Sequence, residues 1–152
     1  MVSLLLNILW IIFGGGLFAI FWLLAGVVMA LTIIGLPWAR ACFMIAGYTF
    51  LPFGRQLVSR DKVTGQESIG TGPLGWLANI IWFLIAGVWL AIGHVAAAIA
   101  LAVTIIGIPF AWAHVKLAAA SLFPVGKLVV DNDLAGAIGR RQGDARLSGF
   151  RP

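Results

Sequence analysis

The chain is 152 residues long, 62% hydrophobic and only 10% charged, far below the roughly 25% charge of an average soluble domain. Its mean hydropathy of +1.07 excludes a globule that covers its own surface in water. The net charge of +5 does not signal nucleic acid, because the basic residues flank apolar segments instead of forming one patch interleaved with exposed aromatics.

In chain order, residues 1–39 contain no Asp, Glu, Lys or Arg. The apolar run 4–36 lacks a basic leader and exceeds the roughly 7–15 residues of a signal-peptide core, so it reads as part of the mature protein. As one helix it would be about 50 Å long against a hydrocarbon core of about 30 Å, and two full crossings need about 40 residues. At Thr32-Ile33-Ile34-Gly35-Leu36-Pro37 the run meets a breaker, because Pro37 lacks an N–H and restricts the residue before it. A shorter segment, 38–51, follows and ends at Pro52-Phe53-Gly54-Arg55.

A polar linker separates this unit from a second one with the same plan. Shifting the chain by 72 residues places Asn7-Ile8-Leu9-Trp10 on Asn79-Ile80-Ile81-Trp82, and Thr32 to Pro37 on Thr104-Ile105-Ile106-Gly107-Ile108-Pro109. It also places Pro52 to Arg55 on Pro124-Val125-Gly126-Lys127; positions 7–58 and 79–130 share 19 identities in 52. Composition alone repeats Leu and Ile, but not Asn, Trp, Thr, Gly and Pro in register, so the chain is a tandem duplication. The expected division is a first membrane repeat at 3–58, a polar linker at 59–73, a second repeat at 74–130 and a polar basic tail at 131–152. That tail, poor in large apolar residues, is expected to be poorly ordered or to lie at the membrane surface.

The sequence predicts an all-α integral membrane fold, with two membrane-embedded helical elements per repeat and helices broken at the IIGxP motifs. Basic residues follow both units, among them Arg40, Arg55 and Lys62 after the first, and Lys116, Lys127, Arg140 and Arg151 after the second. This predicts an even number of crossings, with N-terminus, linker and tail in the cytoplasm. Two other arrangements fit the pattern. Each apolar run could be a re-entrant hairpin with the shorter segment in the interface, or each unit could cross once and make the repeats inverted. Arg40, His114 and Lys116, in the shorter segments, favour an interfacial position.

The doubled Asn-Ile-x-Trp opening, Thr-Ile-Ile-Gly-(Leu/Ile)-Pro centre and Pro-x-Gly-(Arg/Lys) close resemble the YccF family of small bacterial inner-membrane proteins with two tandem YccF domains. The resemblance covers residues 3 to about 130. It implies a multi-pass protein of the inner (plasma) membrane, with no established activity from which site residues could be carried over. The doubling is imperfect where Arg40 faces Trp112, Cys42 faces His114 and Met44 faces Lys116.

Catalytic chemistry is not expected. All five acids, Asp61, Glu67, Asp131, Asp133 and Asp144, lie in linker or tail, while acid–base or metal sites need convergent carboxylates, His or Cys. No cofactor or metal is expected, and Cys42 alone permits no internal disulfide. The candidate polar residues are Asn7, Asn79, Thr32, Thr104 and His94, which would either line a pathway or bond between helices. Gly35, Pro37, Gly107 and Pro109 are candidate helix breakers; Arg40, Arg55, Lys116 and Lys127 are candidate interface cations. Small residues matched between the units (Gly15 and Ala19 with Gly87 and Ala91) predict close helix packing, within a chain or between the subunits of a homo-oligomer. An oligomeric channel for an unspecified ion or small solute is the first functional expectation, because broken helices at matching positions mark membrane sites. A non-transporting scaffold or membrane-shaping protein is the alternative; the expected partners are the lipid bilayer and other copies of the chain, not nucleic acid.

Overall fold

The computed structural model describes residues 1–149; residues 150–152, the end of the expected tail with Arg151, lie outside the described residues. The first repeat opens with α1 (Val2–Trp10), passes through a π turn at Ile11–Gly15 and continues as α2 (Gly16–Ala30). After a five-residue turn, α3 (Leu36–Phe50) packs antiparallel to α2 and leads into β1 (Arg55–Ser59). A short α4 (Arg60–Thr64) opens the linker. The plan then repeats as α5 (Pro73–Trp82), a π turn at Phe83–Gly87, α6 (Val88–Ala102), α7 (Ile108–Leu122) and β2 (Lys127–Asp131), before α8 (Asn132–Ser148).

The protein is thus a predominantly helical tandem repeat broken at the IIGxP motifs. Its two long apolar helices, Val2–Ala30 and Pro73–Ala102, have mean hydropathies of 2.4 and 2.2 and are long enough to cross a membrane. The repeats differ at the bend. Gly14 has φ +112°, a conformation that favours glycine, and interrupts the first helix. Ala86 stands at that place in the second repeat, and the helix runs on through its π turn.

Two features were not legible from the residue pattern. β1 and β2 form an antiparallel two-stranded ladder with Leu57 opposite Val129, which ties the end of the first repeat to the end of the second. Its ends close reciprocally: Arg60 N–H donates to Gly126 O at 2.8 Å, and Asn132 N–H to Gly54 O at 3.1 Å. The tail is also not irregular, since 132–148 is helical. Asp133 in its first turn and Arg146 in its last complement the helix dipole, although no residue of α8 is buried.

The core consists of two clusters, each drawn from both repeats. In one, Trp10, Tyr48 and Phe53 of the first repeat pack with Phe110, Ala113 and Leu117 of the second. In the other, Trp82 and Ala86 of the second pack with Trp22, Cys42, Ile45 and Trp38 of the first. Each repeat therefore seats the tryptophan of its opening helix against the other's hairpin. The small residues are consumed inside the chain: Gly15, Ala19, Gly87 and Ala91 are all buried. A Cβ added at Gly87 would stand 3.0 Å from Ser121 O on α7. Of the two expected uses of these residues, packing within the chain is the one their burial matches: Gly15 lies against the Trp10 ring and Gly87 against the backbone of α7.

Candidate functional site

The opening helix of each repeat is fastened to that repeat's Pro-x-Gly stop. Asn7 Nδ2 donates to Phe53 O at 3.2 Å, and Asn7 Oδ1 accepts from Phe53 N–H at 3.0 Å. Asn79 treats Val125 in the same way, at 3.0 and 2.9 Å. Three residues on, one face further along the helix, Trp10 Nε1 donates to Thr49 O at 2.7 Å and Trp82 Nε1 to Ser121 O at 2.8 Å. The rings then face the partner repeat, Trp10 stacking on Phe110 and Trp82 on Trp22, each with centroids 6.2 Å apart. In an apolar surrounding an unpaired amide is costly, so these side chains supply partners where the chain leaves its helix.

The hairpin turns carry the second pair of candidates. Thr32 Oγ1 donates to Met29 O at 3.0 Å and accepts from Gly35 N–H at 3.1 Å; Thr104 does the same with Leu101 O and Gly107 N–H, both at 3.0 Å. Gly35 and Gly107 admit this closure because their missing Cβ would fall 2.4 Å from Met29 O and 2.1 Å from Leu101 O. Pro37 and Pro109 occupy the first turns of α3 and α7, where a missing N–H costs nothing. The turns are apolar outward, with Ile33 89% and Ile105 87% exposed.

The five polar candidates do not converge. Each asparagine and each threonine is directed at the backbone of its own repeat. His94 does acquire a polar neighbour, His114, at 3.0 Å between the two Nδ1 atoms. One ring must donate and the other accept, so the bond needs at least one neutral imidazole. Both rings are buried and lie against Phe18. Trp22 and Cys42 stand at these two positions in the first repeat, so the pair fills a volume that a large and a small side chain fill elsewhere. His94→Trp alone should overpack the site and lower the melting temperature in detergent, at about 1–3 kcal/mol. His94→Trp with His114→Cys should recover most of that loss. Additive losses in the double variant would break the structural reading of the pair.

Among the cations, Lys116 Nζ donates to the carbonyls of Pro52 and Arg55, the latter at 3.3 Å, and so caps the end of the first repeat from the second. Arg55 and Lys127 begin the two strands, opposite Asp131 and Ser59. Arg40 points to an exposed position on α3. Sequence reasoning did not select Trp10, Trp82, Trp38 or His114 as bonding residues; the matched Trp of the repeat was a signal for the first two. Among the described residues, no three His, Cys, Asp or Glu side chains gather to hold a metal ion.

Comparison with known proteins agrees with this doubled plan. The family model described as the inner membrane component domain, YccF, matches residues 5–55 and again residues 77–127. Over 142 residues the chain is 37% identical to "Inner membrane protein YccF" of Escherichia coli (strain K12), covering 93% of this chain and 95% of that protein. The protein of the same name from Shigella flexneri gives the same figures. No solved structure matches.

Proposed function

The chain belongs to the YccF family of inner-membrane proteins, and from that premise we propose that it is a non-transporting scaffold whose two hairpins enter one leaflet from the cytoplasmic side and shape the bilayer. One contact carries this reading: Trp38 Nε1 donates to Ala78 O at 3.1 Å. Trp38 lies three residues beyond the first hairpin turn, while Ala78 lies only six residues into the chain after Gly72, about 9 Å of helix from the polar linker. The turn is joined to the ladder by the 15 residues of α3, about 22 Å of helix, which falls short of a hydrocarbon core of about 30 Å. A complete crossing would separate them by the whole core.

The apolar turns support the same reading. Ile33, Ile34, Ile105 and Ile106 are all more than 80% exposed, which suits hydrocarbon and not an aqueous far side. The threonine bonds supply polar partners at the turns, as irregular backbone at membrane depth requires. Basic residues beside the ladder favour the cytoplasm as the polar side. Material inserted into one leaflet expands it relative to the other, and that asymmetry bends a bilayer.

In a Cys42→Ser background, Ile33→Cys and Ile105→Cys should resist an impermeant thiol reagent applied to either face of sealed membranes and should react after solubilisation. Ser68→Cys should react from the cytoplasmic face alone. Liposomes reconstituted at rising protein-to-lipid ratio should shrink in mean diameter, with ion flux at the protein-free baseline. Labelling of the turns from outside would overturn one-leaflet insertion, and flux rising in proportion to protein would replace the scaffold with a channel.

A further inference from the structure

A groove of about 860 Å³ opens between the first hairpin and the linker. One wall is apolar, from Ala41 and Met44 of α3 and Leu74 and Ala78 of α5; the rim carries Arg40, Arg60 and Lys127. Among the described residues no ion pair joins these three cations to a carboxylate, although Glu67 lines the groove as well and lies against Gly72. Arg60 Nε is buried without a hydrogen-bond partner. The Arg60 guanidinium is pushed below its ordinary pKa, first by burial and then by the charge of Arg40. Two guanidiniums lining one groove, with a buried donor left over, form one half of an anion site.

The other half is hydrocarbon. The geometry points to a binding groove for one anionic phospholipid, its phosphate between Arg40 and Arg60 and an acyl chain along Ala41, Met44, Leu74 and Ala78. The groove matches such a molecule in chemistry, with cations on its rim beside an apolar wall. Three cations against Glu67 leave a surplus of positive charge for a phosphate. The second repeat offers no equivalent: Trp112 stands in place of Arg40, and Lys116, in place of Met44, is already bonded to the carbonyls of Pro52 and Arg55. Binding here requires membrane residence and does not depend on one-leaflet insertion.

The test uses delipidated full-length protein in mild detergent, titrated with phosphatidylglycerol and, separately, with phosphatidylcholine. Native mass spectrometry should show one tightly held phosphatidylglycerol, and Arg40→Gln or Arg60→Gln should weaken it by about tenfold or more, the loss of one charge-assisted contact. Met44→Trp, which fills the apolar wall, should weaken it too, whereas Arg40→Lys should retain most of it. Without lipid, Arg40→Gln should melt close to wild type, because the Arg40 side chain is exposed; with phosphatidylglycerol it should lose the stabilisation that wild type gains. Equal retention of phosphatidylcholine would overturn the proposal, as would unchanged binding in both arginine variants. Competition by inorganic phosphate as strong as that by the intact lipid would leave a bare anion site and overturn the acyl-chain assignment.

Discussion

Asn7→Ala together with Asn79→Ala should leave a chain that inserts into membranes but does not hold its tertiary structure in detergent. Each asparagine serves two backbone groups at once, the N–H and C=O of Phe53 or of Val125. Removing the amide strands both groups at part-buried positions, at up to about 1–3 kcal/mol per group. Four such groups amount to as much as roughly 4–12 kcal/mol, comparable with the whole stability of a small domain. The single variants should each show about half the effect, because the two clamps share no hydrogen-bond partner. Asn7→Asp, which keeps the acceptor for Phe53 N–H and loses the donor to Phe53 O, should fall between wild type and Asn7→Ala. Thermal melting of purified protein measures the series. A double alanine variant that melts within a few degrees of wild type would show that the clamps contribute little.

Gly35→Ala and Gly107→Ala should be the next most damaging changes, and more damaging than Pro37→Ala and Pro109→Ala. A methyl at Gly107 would stand 2.1 Å from Leu101 O and 2.4 Å from Thr104 Oγ1, and one at Gly35 would stand 2.3 Å from Thr32 Oγ1. These are backbone atoms and a bonded hydroxyl, which cannot swing aside, so the turn must open at about 3 kcal/mol per site. The prolines sit where a helix begins; replacing them restores an N–H in a first turn that needs none, and should cost about 1 kcal/mol or less. Residue spacing alone suggests the reverse order, with proline as the breaker. Guanidinium or mixed-micelle unfolding of the four variants distinguishes the two orders.

The duplication, the apolar helices and the breaks at the two IIGxP motifs were legible because Asn, Trp, Thr, Gly and Pro recur at one offset and the charges lie outside the apolar runs; the interruption at Gly14 was not. Depth in the membrane was not. Run length is compatible with a crossing or a re-entrant hairpin, and the residue that bears on the choice, Trp38, bonds to a carbonyl 40 positions away. The ladder was missed because Leu57-Val58 and Leu128-Val129-Val130 are short apolar runs whose period cannot separate strand from helix. Similarly, His114 and Arg60 carry no local signal: one gains meaning from His94 across the hairpin, the other from Arg40 across the groove.

The exchange of tryptophans between the two core clusters bears on how such a chain could arise. A chain with one copy of the repeat would still fasten its opening helix to its own hairpin through the asparagine and the indole N–H, but it would leave the tryptophan ring and the hairpin face that receives the other ring both uncovered. Two such chains would meet both needs at once by pairing about a twofold axis, because each surplus is the other's deficit. Joining their genes would turn that dimer into one molecule without moving a contact, and the antiparallel strands would tie its two halves together. After fusion the halves would no longer be bound to stay identical. One could keep an arginine at position 40 while the other acquired a tryptophan at 112, so the single groove is a property that a symmetric pair of identical chains could not possess.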